Sequence, residues 1–296
     1  MLDSSISQRI WITRYFMVIG IIFLHLPPYQ PLSEVGNDWF DYIKAFFSHG
    51  VFRATVPVLT VMSGYLVFKT KLHLAPLKLL NNKTRSLIIP LILWNIPIAV
   101  AIFLAQKYQL LSHTFSTNLY PLDLLAWVNA LTGLTESPVN YPLNFLRDLF
   151  VVSLLSPLLW LLIKRIPYIG FGLILVVYFY NLEGQLILRN SMLISFYFGA
   201  LLAHLNADLT RLDKYAWPLL LSFVAISAMI VLFTIENREW YRIISPIMIW
   251  PAMSLLMGSK FGQLMFYYSR HSFFTFLAHG PLILVFWLIF QRLFSN

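Results

Sequence analysis

The sequence contains no cysteine, so disulfides, thiolate nucleophiles and thiolate metal sites are all excluded. Charge is scarce as well. Asp, Glu, Lys and Arg make up 11% of the 296 residues, against about 25% in an ordinary soluble domain. No hydrophilic block is long enough to fold separately in water, which predicts a single domain over residues 1–296. The metal-ligand pattern H-E-x-x-H, the G-x-S-x-G nucleophile elbow and the glycine-rich phosphate loop are missing, and no metal is expected. Nor is there an internal repeat of the kind that underlies many transporters.

What the chain does have is apolar length. Hydrophobic residues are 59% and aromatics 17%, with a mean hydropathy of +0.73, which predicts an all-α, polytopic membrane bundle. Apolar runs fall near 10–27, 47–68, 86–106, 145–163, 167–181, 190–206, 215–235, 242–258 and 272–293. The stretch 122–134 is too short to cross and reads as interfacial or re-entrant; if it crosses, the count is ten rather than nine. The first run ends in Leu26-Pro27-Pro28 without a small-residue cleavage site, and so reads as a retained span. The excess of Lys and Arg, net +9, gathers in alternate short connections, as in Lys69, Lys71, Lys78, Lys83 and Arg85. That pattern indicates membrane orientation with a cytoplasmic N-terminus, and no nucleic-acid partner.

Ionisable residues inside a bilayer are costly and by default mark functional sites. Arg14 and His25 lie eleven residues apart, close to three helical turns, so they share one stripe about 16 Å apart along the axis. In the next run His49, Arg53 and Pro57 recur at i, i+4 and i+8, followed by Ser63, Gly64 and Tyr65. The stretch "NFLRDL" carries Arg147 and Asp148, and "SRHSFFTFLAH" carries Arg270, His271 and His279. With the N-terminus inside, these residues form two layers. An outer layer would hold His25, His49, Arg53, Arg147 and Asp148; a cationic inner layer would hold Arg14 and Arg270, with His279 nearer the middle. Guanidinium forks suit a phosphate-rich cytoplasmic ligand, and a neutral histidine suits proton abstraction from a hydroxyl. Together they imply group transfer across the membrane. Structural readings stand beside these: Arg147-Asp148 as a local ion pair, His49 as a loop residue, and Ser63-Gly64-Tyr65 as a small-residue packing contact.

At these residues the sequence resembles the acyltransferase-3 family of bacterial integral-membrane O-acyltransferases. The Arg14…His25 pair matches its first-span signature. Arg53, Pro57, Ser63, Gly64 and Tyr65 match an R-x-x-x-P…S-G-Y/F pattern, "NFLRDL" matches a W-F-L-R-D-L-like helix start, and "SRHSFFTFLAH" matches a late S-x-x-S-x-x-x-Y-x-x-H-like segment. Two departures are Asn144, where tryptophan is usual, and Phe276, where tyrosine is usual. The resemblance implies a bacterial inner-membrane enzyme with no permanently bound cofactor, acetyl-CoA or another acyl-CoA as donor, and a glycan or lipid-linked saccharide as acceptor. Its surroundings would be membrane lipids, with glycan-assembly partners or a homo-oligomer as further contacts. In that frame His25 is general base or transient acyl acceptor, and Arg14 and Asp148 join it in the catalytic set. Arg14, Arg270, Ser63 and Tyr65 face the CoA donor; Arg53, Arg147 and His279 face the acceptor. The rival from another class is a transporter or flippase of an anionic lipid or sugar, and a third reading is a scaffold subunit.

Overall fold

A computed structural model describes residues 3–36, 38–110 and 117–294. Every regular element among them is helical. In chain order the α-helices are α1 (Ser4–Leu24), α2 (Trp39–Ala45), α3 (Thr55–Lys69), α4 (Pro76–Lys83), α5 (Ile89–Lys107), α6 (Leu124–Thr132) and α7 (Asn144–Leu154). They continue with α8 (Ser156–Arg165), α9 (Pro167–Phe179), α10 (Ser191–His204), α11 (Ala216–Leu232), α12 (Glu239–Ala252), α13 (Lys260–Ser269) and α14 (Ser272–Phe294).

Local chemistry sets many of the ends. The Asp3 carboxylate accepts the Ser5 amide and caps α1, and Leu26-Pro27-Pro28 cannot continue that helix. Proline occupies the first turn of α4, α5, α8 and α9, where its missing N–H costs nothing. Gly133 ends α6 at φ +69°, a conformation open to glycine. The run expected as one helix over 47–68 is irregular at its start: a π-helical turn at Phe46–Gly50 and a 3-10 turn at Val51–Ala54 precede α3. His49 and Arg53 therefore do not follow the i, i+4 geometry of a regular helix.

Five segments among the described residues are long and apolar enough to cross a membrane, or seven if each of two bent pairs is one span. Those bends are 51° between α7 and α8, and 111° at the entry to α13. The runs expected at 167–181 and 190–206 form the shorter helices α9 and α10, so length and composition alone support fewer than the nine to ten spans anticipated. The 122–134 stretch becomes the nine-residue α6, packed on α5 through Ala99, Ile102, Leu119 and Ala130.

The chain forms two compact units of discontinuous sequence. The first comprises Met1–Lys69 and Ile194–Phe276. Within it α1 packs on α3 and α13, and α12 packs on α3 and α11. Glycines set its closest approach: a Cβ on Gly64 would lie 2.2 Å from the Phe196 carbonyl oxygen, and one on Gly199 would lie 1.9 Å from that of Val61. The packing reading of Ser63-Gly64-Tyr65 thus has a geometric basis at Gly64. The second unit comprises Thr70–Leu193 and Leu277–Asn296. At its centre the fully buried Asn95 carboxamide accepts the Asn140 amide at 2.8 Å and donates to the carbonyls of Leu91 and Leu131.

Candidate active site

Of the pair predicted to share a stripe, Arg14 lies within α1 and His25 caps its C-terminal end. His25 is the residue just past its last turn, half-buried, with Nδ1 2.7 Å from the Ile21 carbonyl oxygen. A carbonyl only accepts, so Nδ1 carries the proton, and in the neutral ring Nε2 holds the lone pair. The backbone thereby sets the tautomer that a general base needs. Arg14 lies on the same helix, half-buried, with its guanidinium 5.0 Å from the centre of the Trp11 ring. Among the described residues it has no carboxylate within ion-pair distance.

Around the His25 end of α1 the first unit gathers further cations. His49, expected as a loop residue, is buried. Its Nδ1 accepts from Arg238 Nη1 at 3.0 Å, and its Nε2–H donates to the Gln30 carbonyl at 2.9 Å. With one nitrogen accepting and the other donating, the ring is neutral and both of its polar atoms are occupied. Arg53 Nη2 donates to the Tyr29 hydroxyl at 3.1 Å, and the Tyr29 ring lies 5.9 Å from that of His49. Lys44 Nζ donates to the Pro28 carbonyl at 2.6 Å. A small cavity opens here, with Phe23, Leu24, Leu26, Tyr29, Lys44 and His49 in its wall. Arg238 was not singled out from sequence, because a lone arginine in a polar connection such as "ENREW" carries no periodic signal.

The second unit holds Arg147 and Asp148, whose polar groups bond to neighbouring segments of the protein. All five N–H groups of the buried Arg147 guanidinium are bonded. Nε donates to Gly133 O, Nη1 to Leu186 O and Asp148 Oδ1, and Nη2 to Leu134 O and Gln185 O. No donor remains for a substrate anion. Asp148 is fully buried, and besides Arg147 it accepts the amides of Leu188 and Arg189. The pair staples the 133–134 and 185–189 segments to α7, so the local ion-pair reading is the one its surroundings favour. The departure at Asn144 has a local explanation, since its carboxamide oxygen accepts Arg189 Nε at 2.9 Å. His279 is buried in α14, one residue before Gly280, whose Cβ position would lie 2.3 Å from the Asn140 carboxamide oxygen.

The remaining donor-side candidates are more scattered. Ser63 gives its hydroxyl to the Leu59 carbonyl at 2.8 Å. Tyr65 is buried along an apolar groove that also includes Ile10, Phe198, Asp208 and Trp250. Arg270 is exposed, 4.4 Å from the Tyr267 ring centre, and its Nε donates to His271 Nε2 at 3.1 Å. Arg9 is buried. It makes a bidentate pair with Asp213 at 2.8 and 3.0 Å, donates to the Trp250 carbonyl and lies over the Trp250 ring. In the loop beside it, the Thr210 hydroxyl and amide hold the exposed Asp208 carboxyl below the usual carboxylate range.

A family model described as an acyltransferase domain matches residues 9–296. The succinoglycan biosynthesis protein ExoH of Rhizobium meliloti (strain 1021) is 30% identical over 306 aligned positions, covering 98% of this chain and 82% of the relative. No solved structure matches.

Proposed function

The chain belongs to that acyltransferase family, and from this premise we propose that it is a bacterial inner-membrane O-acyltransferase. It moves an acyl group, in the first instance acetyl, from cytoplasmic acyl-CoA to a hydroxyl of a cell-surface polysaccharide or its lipid-linked precursor. The observation that carries the proposal is the tautomer of His25: with Nδ1–H held by the Ile21 carbonyl, Nε2 is the basic atom. Nε2 takes the proton of the acceptor hydroxyl as its oxygen attacks the thioester carbonyl. Collapse of the tetrahedral adduct forms the ester and expels CoA thiolate, which recovers the proton. Arg14, held against Trp11 without a carboxylate partner among the described residues, fits the CoA phosphates. Arg270 is assigned beside it. The acceptor's glycan character rests on the similarity to a protein of succinoglycan biosynthesis.

The test is release of free CoA by purified protein in liposomes, with acetyl-CoA and succinyl-CoA compared. General-base assistance is typically worth about 10² to 10⁴ in rate, so His25→Ala should lower turnover by that factor while its melting curve is unchanged. Arg14→Ala should raise the KM for acyl-CoA more than it lowers kcat. Full turnover by a folded His25→Ala protein refutes the assignment. Substrate movement without CoA consumption would establish transport instead.

A further inference from the structure

Arg53 and Arg238 are the charges that the proposed chemistry leaves least explained. They reach one place from distant parts of the first unit: Arg53 from the 3-10 turn before α3, and Arg238 from the residue preceding α12. A continuous set of contacts joins them. Arg53 donates to Tyr29, the Tyr29 ring lies beside His49, and His49 accepts from Arg238. Lys44, from α2, lines the neighbouring cavity together with Tyr29 and His49. Both guanidiniums are half-buried, and Arg53 Nε is buried without a hydrogen-bond partner. Among the described residues neither arginine has a carboxylate within ion-pair distance. Asp41 lines the same cavity without pairing to these cations, and Glu236 influences Arg238 only from beyond contact. Burial and the neighbouring Arg53 both weaken the charged form of Arg238.

Like charges brought together under partial burial repel and lose hydration, so the arrangement is costly until an anion enters. A protein that carries such a pair in the same unit as its candidate base has a binding reason to do so. The fixed neutral His49 excludes a proton-relay role, because both ring nitrogens are occupied. It works as a spacer that aims Arg238. We propose that Arg53 and Arg238, with Lys44 beside them, bind an oxyanion of the acceptor, a carboxylate or phosphate on the saccharide, and thereby present its hydroxyl to His25. This rests on the acyltransferase reading for the hydroxyl's fate, but the anion preference itself is independent of it.

The experiment therefore reads binding without CoA. Protein in phosphatidylcholine nanodiscs is titrated with decyl glucuronide and with decyl glucoside, which differ by one carboxylate. A guanidinium pair sharing that carboxylate should give roughly tenfold or more tighter binding of the glucuronide. The preference should shrink as salt is raised, collapse in Arg238→Gln and in Arg53→Gln, and survive in Arg242→Gln, whose side chain pairs with Glu239. Equal binding of the two probes to wild type overturns the proposal without any variant. Displacement of the glucuronide by added phosphatidylglycerol at matched concentration would assign the cations to a lipid headgroup and overturn it too. So would carboxylate selectivity residing in the donor, with succinyl-CoA and acetyl-CoA discriminated while the glycosides are not. Glucuronide preference without CoA turnover would instead refute the proposed reaction and leave this site standing.

Discussion

Replacement of glycine by alanine should have opposite consequences at two helical positions. At Gly199 the new methyl carbon would meet the Val61 carbonyl oxygen at 1.9 Å, the Val61 carbonyl carbon at 2.8 Å and the Tyr65 amide nitrogen at 2.9 Å. All three are backbone atoms of α3, so no side chain can rotate away. Reaching ordinary contact at 3.4 Å requires α3 and α10 to separate by about 1.5 Å. Overpacking of this kind costs about 1–3 kcal/mol, while alanine's helical preference returns about 0.5–1 kcal/mol. The net expectation for Gly199→Ala is destabilisation by about 1–2 kcal/mol. At Gly172 in α9 nothing lies within 4 Å of the added carbon, so only the helical gain remains. The two variants should therefore differ by about 2 kcal/mol, roughly thirtyfold in the unfolding equilibrium. Intrinsic fluorescence of the nine tryptophans follows unfolding in detergent, and the absence of cysteine excludes thiol-reactive dyes. Gly199→Ala melting with or above Gly172→Ala would refute the close-approach argument.

Arg147→Lys should destabilise the fold by about 3–5 kcal/mol, because one ammonium cannot span four carbonyls and Asp148. Any folded fraction should keep a wild-type KM for acyl-CoA, measured beside the melt. Breaking the Arg9–Asp213 pair with Arg9→Ala should cost about 2 kcal/mol, less than a fully buried pair because Asp213 keeps 29% of its side chain exposed. A double-mutant cycle with Asp213→Ala checks the coupling. The Ser5 amide and hydroxyl hold the Asp3 carboxyl below its ordinary range. A depressed carboxylate contributes stability above its unfolded pKa and loses it as pH falls through the folded one. Hydrogen-exchange protection over the first turn of α1, relative to the intrinsic rate at each pH, should therefore fall in acid, and in Asp3→Ala it should be low throughout.

The Arg14…His25 pair was legible because eleven residues of spacing span a regular helix, with Arg14 inside α1 and His25 as the residue that caps it. The tautomer of His25 was partly implicit in the same helix, since its partner is the carbonyl four residues earlier. Arg147 and Asp148 were legible as an ionisable pair but not in role, because what they bond comes from segments 13 to 41 residues away in sequence. Arg238 was invisible for the complementary reason: its meaning comes from His49, 189 residues distant. The breaks also escaped prediction. A run such as 47–68 is apolar throughout, and nothing in hydropathy distinguishes a π or 3-10 turn from a regular one.

The π-helical turn at Phe46–Gly50 is equivalent to one residue inserted into an α-helix, and each α-helical residue turns the chain by about 100°. It therefore sets the phase between Lys44 upstream and Arg53 downstream. Loss of a single residue there would leave every cation in the chain and still swing one of them away from the other. In this segment the number of residues, as much as their identity, determines which charges meet.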